Sequence, residues 1–283
     1  MTRATLSDVL QPALTGGYAV PGFVCLGWED ARAYVQAAEE ASAPVILQAG
    51  PGARAHMPIA VWGAMFRELA DSARVPVVMH LDHGRSEDEV RAALQEGFTS
   101  VMFDGSDLAL EDNIRMTTRI AALAHAAGAS CEGEIGRVGY AGAAASTCTA
   151  PGEAARFAAE TGADAIAVAV GNLHLQEAAG PGIDESLLAA VARATGARVP
   201  LVVHGGSGVP PDQRARLSRF STICKFNIGT ELRQTFGAAL RARLTDDPDA
   251  YDRISILQGT EAALRERAKA ILRGLSAAHR SVA

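Results

Sequence analysis

The sequence predicts a (β/α)8 barrel, on three observations. Strand-like apolar runs occur eight times along the chain. Stretches with helical periodicity, rich in Ala, Glu and Arg, stand between most of them, so strands and helices alternate without a linker. The polar residues suited to chemistry fall where the apolar runs stop: Asp82 and His83, Asp104, Glu134, His174, His204 and Asn227. A barrel gathers all its strand C-termini into one ring. A doubly wound sheet, the competing fold for alternating elements, spreads them along an edge.

The elements follow in order. A short helix is expected over Leu6–Thr15. The eight runs are Tyr18–Val24, Pro44–Gln48, Val75–Met79, Ser100–Phe103, Ala129–Glu134, Asp164–Val170, Val199–Val203 and Ile223–Ile228. Helical stretches lie over Trp28–Ala41, Ser86–Glu96, Asp112–Ala126, Gly152–Thr161 and Ile183–Thr195. Gly97, Gly128, Gly162 and Gly196 stand where those helices should stop, as left-handed caps. Residues 1–283 are read as one barrel domain, with an Ala/Arg/Leu-rich helical tail from about 238 that packs outside the barrel or against a second copy.

Composition narrows the function. A formal charge of −6, with no basic block interleaved with aromatics, argues against a nucleic-acid surface. The apolar runs fall short of the roughly 18 residues that a membrane span needs. Met1–Gly16 lacks the basic start and apolar core of a signal peptide, so a cytoplasmic protein with no membrane partner is expected. Cys25, Cys131, Cys148 and Cys224 show no CxxC spacing and read as small core residues.

The stretch VPVVMHLDHG carries the first chemical signal: a Pro-bounded apolar strand ending in His80, Asp82 and His83. Two later strands repeat the design, running into His174 and His204. Three imidazoles gathered at strand ends leave an open coordination position, as a catalytic metal site requires. By strand alternation His80 faces away from His83 and is structural or supports a ligand. His56, His125 and His279 sit in loop or helical contexts and read as structural. Asp82 is placed to exchange a proton with a group the metal polarises. Asp104 and Glu134 end neighbouring strands, either as further ligands or as partners that fix a histidine tautomer, and Glu132 faces the same side as Glu134.

The second signal is a pair of phosphate-type loops. Gly205, Gly206 and Ser207 follow the seventh strand; Asn227, Ile228, Gly229 and Thr230 follow the eighth, at a helix start. Exposed backbone N–H groups, hydroxyls and the positive helix end suit a phosphate, and barrels bind phosphate at these loops. A metal beside such a cradle suits a small phosphorylated carbonyl compound, whose enediolate the cation would stabilise during proton removal or carbon–carbon cleavage.

HLDHG, FTSVMFDGS, CEGEIG, AVAVGNLH, VVHGGSG and KFNIGTEL, in this order and spacing, resemble the class II, metal-dependent fructose-bisphosphate and tagatose-bisphosphate aldolases from about Tyr18 to Phe236. The resemblance implies a lyase of carbohydrate metabolism that releases dihydroxyacetone phosphate and an aldehyde. It implies zinc or another divalent ion on His83, His174 and His204, helped by Asp104 and Glu134, with room for a monovalent cation. Asp82 becomes the acid/base on the aldehyde-derived oxygen. Gly205 to Ser207 and Asn227 to Thr230 become the dihydroxyacetone phosphate loops. A homodimer or homotetramer is the expected assembly.

The chain departs from the family pattern in several places. Leu175 follows the second histidine where glycine is usual. RVGYAGAAASTCTA, residues 137–150, carries none of the acids usual in the mobile loop, leaving Tyr140 or a metal-bound water as substitutes. PGFVCLGW replaces the usual Ala-Phe-Asn pattern, and Gly50 stands where serine is common. By the resemblance these changes sit around the aldehyde end and the proton-transfer loop, and they predict an altered substrate preference or reduced activity on fructose 1,6-bisphosphate. Three alternatives stay open: a Schiff-base aldolase on Lys225, a metal-dependent phosphosugar isomerase or epimerase, and a non-catalytic phosphosugar-binding paralogue.

Overall fold

The structure is a computed structural model. It describes residues 2–276 except 141–145, 179, 181 and 221, and except the side chains of Tyr140 and Phe220. The expectations for His279 and for the Tyr140 side chain lie outside the described residues.

Eight parallel strands close into a ring: β1 (Val20–Val24), β2 (Val45–Ala49), β3 (Val77–Gly84), β4 (Ser100–Phe103), β5 (Ser130–Ile135), β6 (Ala165–Val168), β7 (Leu201–Val203) and β8 (Ile223–Ile228). Each pairs with the next, and β8 returns to β1 with Lys225 opposite Val20 and Ile228 opposite Phe23. This is the (β/α)8 barrel. The sequence reading ends the third strand at Met79; in the structure it runs on to Gly84, through the segment that holds His80, Asp82 and His83.

The helices are α1 (Leu6–Gly16), α2 (Trp28–Ala41), α3 (Pro51–His56), α4 (Ile59–Ser72), α5 (Glu87–Gln95), α6 (Leu110–Ala126), α7 (Pro151–Thr161), α8 (Glu185–Ala194), α9 (Pro211–Phe220), α10 (Thr230–Asp246) and α11 (Arg253–Leu275). Their starts are fixed locally. Thr5 and Asp8 form a capping box on α1, Ser86 caps α5, and Asp184 caps α8, each satisfying a backbone N–H that the helix leaves without a partner. The helical tail begins earlier than position 238, since α10 starts at Thr230 and is continuous past it. α11 then lies on α2 and α10 and buries Leu264, Ala268 and Leu272. Among the described residues, no helix is long and apolar enough to cross a membrane.

Two apolar layers hold the barrel. Outside the strands, Phe23, Leu47, Met79, Phe103 and Phe226 pack under the helices with Trp62, Phe66 and Phe157. Each such side chain contributes about 1.5–3 kcal/mol by leaving water. Inside, Leu6, Val9, Leu10 and Ala13 of α1 meet Val20, Ile46, Val78, Ala167 and Val202, which plugs the N-terminal end. Towards the C-terminal end the interior turns polar: Gln48, His80, Ser100, Glu132 and Lys225 are all fully buried. The site is built on that polar layer.

Candidate active site

The end of β3 supplies two neighbouring side chains to one place. His83 adopts a left-handed backbone (φ 52°), and the pairing of β3 with β4 shifts register between Leu81 and Gly84. Strand alternation is thereby broken, so Asp82 and His83 line the same cavity. A non-glycine residue in this region of φ carries strain, which here orients a functional side chain. His174 comes from a two-residue strand, Leu173–His174, that pairs with Gly139–Tyr140. His204 follows β7 directly.

The geometry brings the predicted metal residues together. One ring nitrogen from each of His83, His174 and His204 lies within 4.8 Å of the others, and a second group joins His83 to Asp104 and Glu134. His83 Nδ1 is 3.0 Å from Asp104 Oδ2 and 3.6 Å from Glu134 Oε2. The His204 Nε2–H donates to Glu132 Oε1 at 3.1 Å, which leaves the Nδ1 lone pair facing the other two imidazoles' side of the site. His204 Nδ1 and Glu134 Oε2 are buried and find no hydrogen-bond partner within the protein. Orphaned buried acceptors of this kind cost free energy unless a ligand satisfies them, and imidazole plus carboxylate is a donor set for a divalent cation. The residues therefore fit a metal.

The electrostatics agree with that fit. Burial alone would push the His83 imidazolium down, but Asp82, Asp104 and Glu134 outweigh it and raise its pKa to about 9. Burial raises Glu134 to about 8, against the opposing charge of His83. Burial would also raise Asp104, yet its bonds to His83 and Ser106 hold it well below the usual carboxylate range. His174 is pushed down to about 4 by burial and then by His83, and burial pushes His204 down as well. Two neutral imidazoles and surplus carboxylate charge are what a cation needs.

Asp82 is clamped. Its Oδ1 accepts from Gln48 Nε2 at 2.7 Å and from Asn227 Nδ2 at 3.1 Å. Arg54 ties down the backbone below it, donating to the carbonyls of Ala49, Asp82 and His83. Oδ2 faces Gly50, where an added Cβ would stand 3.3 Å away, so the glycine keeps that side open. The cavity in front of Asp82, of about 270 Å³, is bounded by Gly50 to Ala53, His83, His174 and the two predicted phosphate loops.

Those loops meet as expected. Gly205 has φ 64°, and a Cβ there would come within 2.0 Å of the Leu173 carbonyl oxygen, so only glycine allows the loop to pass. Ser207 Oγ accepts from the N–H groups of Gly229 and Glu231 at 3.2 and 3.3 Å, which joins the loop after β7 to the start of α10. A hydroxyl that accepts twice directs its own proton elsewhere. Gly205, Ser207, Asn227, Gly229 and Thr230 line the cavity, whereas Gly206 and Ile228 are buried against each other behind its wall.

Several supporting residues were not among the candidates. Gln48 was legible as the one polar residue ending the apolar run VILQ. Arg54 and Ser106 had no local signal, because their roles depend on loops meeting in space. Lys225 is fully buried, with Nζ 2.7 Å from Glu132 Oε2 and 3.4 Å from His80 Nε2. The ion pair occupies the ammonium beneath the site, so the structure does not favour an imine there. His80 lies on the interior side of β3 with Asp82, donating to or accepting from Ser100 Oγ at 2.8 Å, and supports the layer under the site.

Comparisons with known proteins agree with this architecture. The family described as fructose-bisphosphate aldolase class II matches residues 4–280. A fructose-bisphosphate aldolase of Geobacillus stearothermophilus is 36% identical over 267 residues, 89% of each chain. Among solved structures, the YdjI aldolase from Escherichia coli K12 superposes with a TM-score of 0.83 at 30% identity, over 96% of this chain and 97% of that one. A fructose-bisphosphate aldolase from Campylobacter jejuni, at 21% identity, shares the fold with a TM-score of 0.81 over 95% of this chain and 93% of its own. With the motif order, the closed barrel and the clustered histidines in place, a family match over nearly the whole length makes this chain a lyase belonging to the class II fructose-bisphosphate aldolase family.

Proposed function

We propose that this aldolase reversibly cleaves a ketose phosphate, such as fructose or tagatose 1,6-bisphosphate, into dihydroxyacetone phosphate and an aldehyde. The observation that carries the reading is the cluster of His83, His174 and His204 beside Asp82, in a cavity bordered by two phosphate-type loops. A divalent ion, zinc foremost, held by the three histidines with Asp104 and Glu134 in support, would polarise the substrate carbonyl and stabilise the charge developing next to it. Gly205, Ser207, Gly229 and Thr230 hold the phosphate. Asn227 and Gln48 fix the Asp82 carboxylate, which takes the proton from the C4 hydroxyl as the C3–C4 bond breaks. The electron pair of that bond passes to the ketone-derived fragment, and the C4 oxygen becomes the aldehyde.

This reading is tested by cleavage of a panel of ketose mono- and bisphosphates before and after chelation and zinc restoration. Triose phosphate release that zinc restores and Asp82→Ala abolishes supports it. Bound zinc with no cleavage of any ketose phosphate overturns it. We also propose a homodimer or homotetramer. Leu26, Trp28, Val61 and Ile254 are exposed around an apolar cavity of about 1010 Å³ framed by α2, α4, α10 and α11, a patch suited to a second copy. Sedimentation velocity distinguishes these states from a monomer.

A further inference from the structure

We propose that Arg54 is a positioning residue for the reaction: its guanidinium holds the turn at His83 in the form that gives the cavity both the Asp82 carboxylate and the His83 imidazole. The inference rests on the metal-dependent aldolase reading above. Arg54 stands behind the cavity wall, which Gly50 to Ala53 help to form, so it acts through the backbone.

That backbone has lost its partners in the sheet. The pairing of β3 with β2 ends at Leu81 opposite Ala49. The pairing with β4 passes from Leu81 opposite Val101 to Gly84 opposite Phe103, so Asp82 and His83 together face the single residue Met102. The Met102 sulfur takes the His83 N–H at 3.4 Å. An extended strand sends successive carbonyls to opposite sides. With φ 52° at His83, both carbonyls reach one guanidinium. Arg54 Nη1 donates to the Asp82 carbonyl at 2.6 Å, and Nη2 donates to the His83 carbonyl at 3.1 Å. Nη1 also donates to the carbonyl of Ala49, the last residue of β2, at 2.7 Å.

The fork is itself anchored. The Arg54 N–H donates to the Gly50 carbonyl, and the carbonyl of the preceding Ala53 accepts from the indole N–H of the fully buried Trp62 at 3.1 Å. Its nearest carboxylate, Glu89 on α5, stands 3.6 Å away and is half exposed, so the short bonds of the fork go to the three carbonyls. A non-glycine residue persists in the left-handed region only where its surroundings over-determine it. Without the fork, His83 relaxes towards the extended form, in which neighbouring side chains point to opposite faces. Asp82 and His83 then cannot serve one cavity, and proton transfer and metal binding fail together.

The test removes the fork and returns it in solution. In the full chain, Arg54→Ala should lose about 10- to 100-fold in kcat at saturating zinc, and about 10- to 100-fold in zinc affinity by competition with a chromogenic chelator. Millimolar guanidinium should raise both towards the unmodified values, and equal urea or sodium should not. Guanidinium weakens folded states in general, so a recovery cannot come from stabilisation. Arg54→Lys should fall between, since an ammonium is a point charge that cannot fork over three carbonyls. Zinc affinity within about twofold of the unmodified chain in Arg54→Ala, or losses that guanidinium leaves in place or deepens, overturns the assignment. Should alanine prevent folding, Arg54→Lys decides alone, and unmodified kcat and zinc affinity in that variant overturn the assignment as well. An unmodified chain that binds no zinc does the same. Failure of the aldolase reading looks different: zinc affinity that depends on Arg54, with no ketose phosphate cleaved by the unmodified chain.

Discussion

Glu132 joins Lys225 to His204: one carboxylate oxygen takes the ammonium at 2.7 Å, and the other takes the imidazole N–H at 3.1 Å. All three side chains are fully buried. The carboxylate fixes the His204 tautomer, and the lysine supplies the charge that lets the carboxylate remain in the barrel interior. An imidazole proposed to hold the metal is therefore oriented by an ion pair that never touches the cavity.

Removing the lysine should expose the cost of that arrangement. Lys225→Met leaves Glu132 buried without its counter-charge, and a broken buried pair typically costs about 3–5 kcal/mol. Urea unfolding of the chelated protein measures the loss. The double variant Lys225→Met/Glu132→Gln should lose clearly less than the sum of the single losses, because neither charge is then stranded. Additive losses would show that the two residues do not act as a pair.

Glu132→Gln separates orientation from stability. The amide can still accept from His204 through its oxygen, but it stops holding the imidazole with a full charge. Changes of this kind typically weaken metal binding about 10- to 100-fold. Competition with a chromogenic chelator gives the zinc Kd directly, and an unchanged Kd would sink the positioning role.

Much of this site was legible in the sequence, and the limits have physical causes. His83, His174, His204, Asp104 and Glu134 stood out because apolar strands stop at them, and a barrel can only bring strand ends together. The two glycine loops that border the cavity were legible as glycines beside a helix start. What period-two reasoning misses is the break in it: the left-handed turn at His83, with the shifted β3–β4 register, aims Asp82 and His83 into one cavity. Contacts set by loop closure, such as Arg54 with the carbonyls of Asp82 and His83, leave no trace in local pattern. Lys225 could be read as facing inward, but its partner lies 93 positions away, beyond any spacing argument.

Zinc should stabilise the protein more strongly as pH rises. In the metal-free site His83 titrates near 9, above its ordinary 6.5, so its attraction to the surrounding carboxylates is complete below pH 6.5 and is lost as pH climbs through about 9. Glu134 titrates near 8, above its ordinary 4.5, and its ionisation in the same window also works against the metal-free fold. Zinc must displace these protons, so its affinity increases over the same range. Melting curves of chelated and zinc-restored protein between pH 6 and 8.5 should show a widening gap, each tenfold gain in affinity adding about 1.4 kcal/mol at saturating metal. A gap that narrows with pH would contradict the assignment of these residues to the metal.

Asp82 should be dispensable for the fold and required for turnover. Asp82→Ala removes the proton acceptor, with an expected loss of roughly 10²- to 10⁴-fold in kcat, while His83, His174 and His204 keep the metal. Zinc content and kcat measured on the same preparation decide the point. Asp82→Asn keeps the hydrogen bond from Gln48 or Asn227 but not the base, so it should be as inactive as the alanine variant. Activity retained in Asp82→Asn would mean that the residue positions the substrate and does not move the proton.

Leu175 offers the cleanest test of how this chain departs from its family. It follows His174, is half exposed, and holds φ 55°, the left-handed region that glycine occupies freely. A non-glycine side chain in that conformation costs of order 1–3 kcal/mol. Leu175→Gly relieves that cost in the folded state but adds backbone freedom to the unfolded one, offsetting about 1 kcal/mol. Stability should consequently change little, while the segment carrying His174 becomes freer to move at the cavity mouth. If Leu175 sets the substrate preference, the ratio of kcat/KM between two ketose phosphates should shift in Leu175→Gly with the zinc Kd held near its original value. A uniform fall in kcat/KM across the panel, with weaker zinc binding, would instead show that the leucine serves to hold His174 in place.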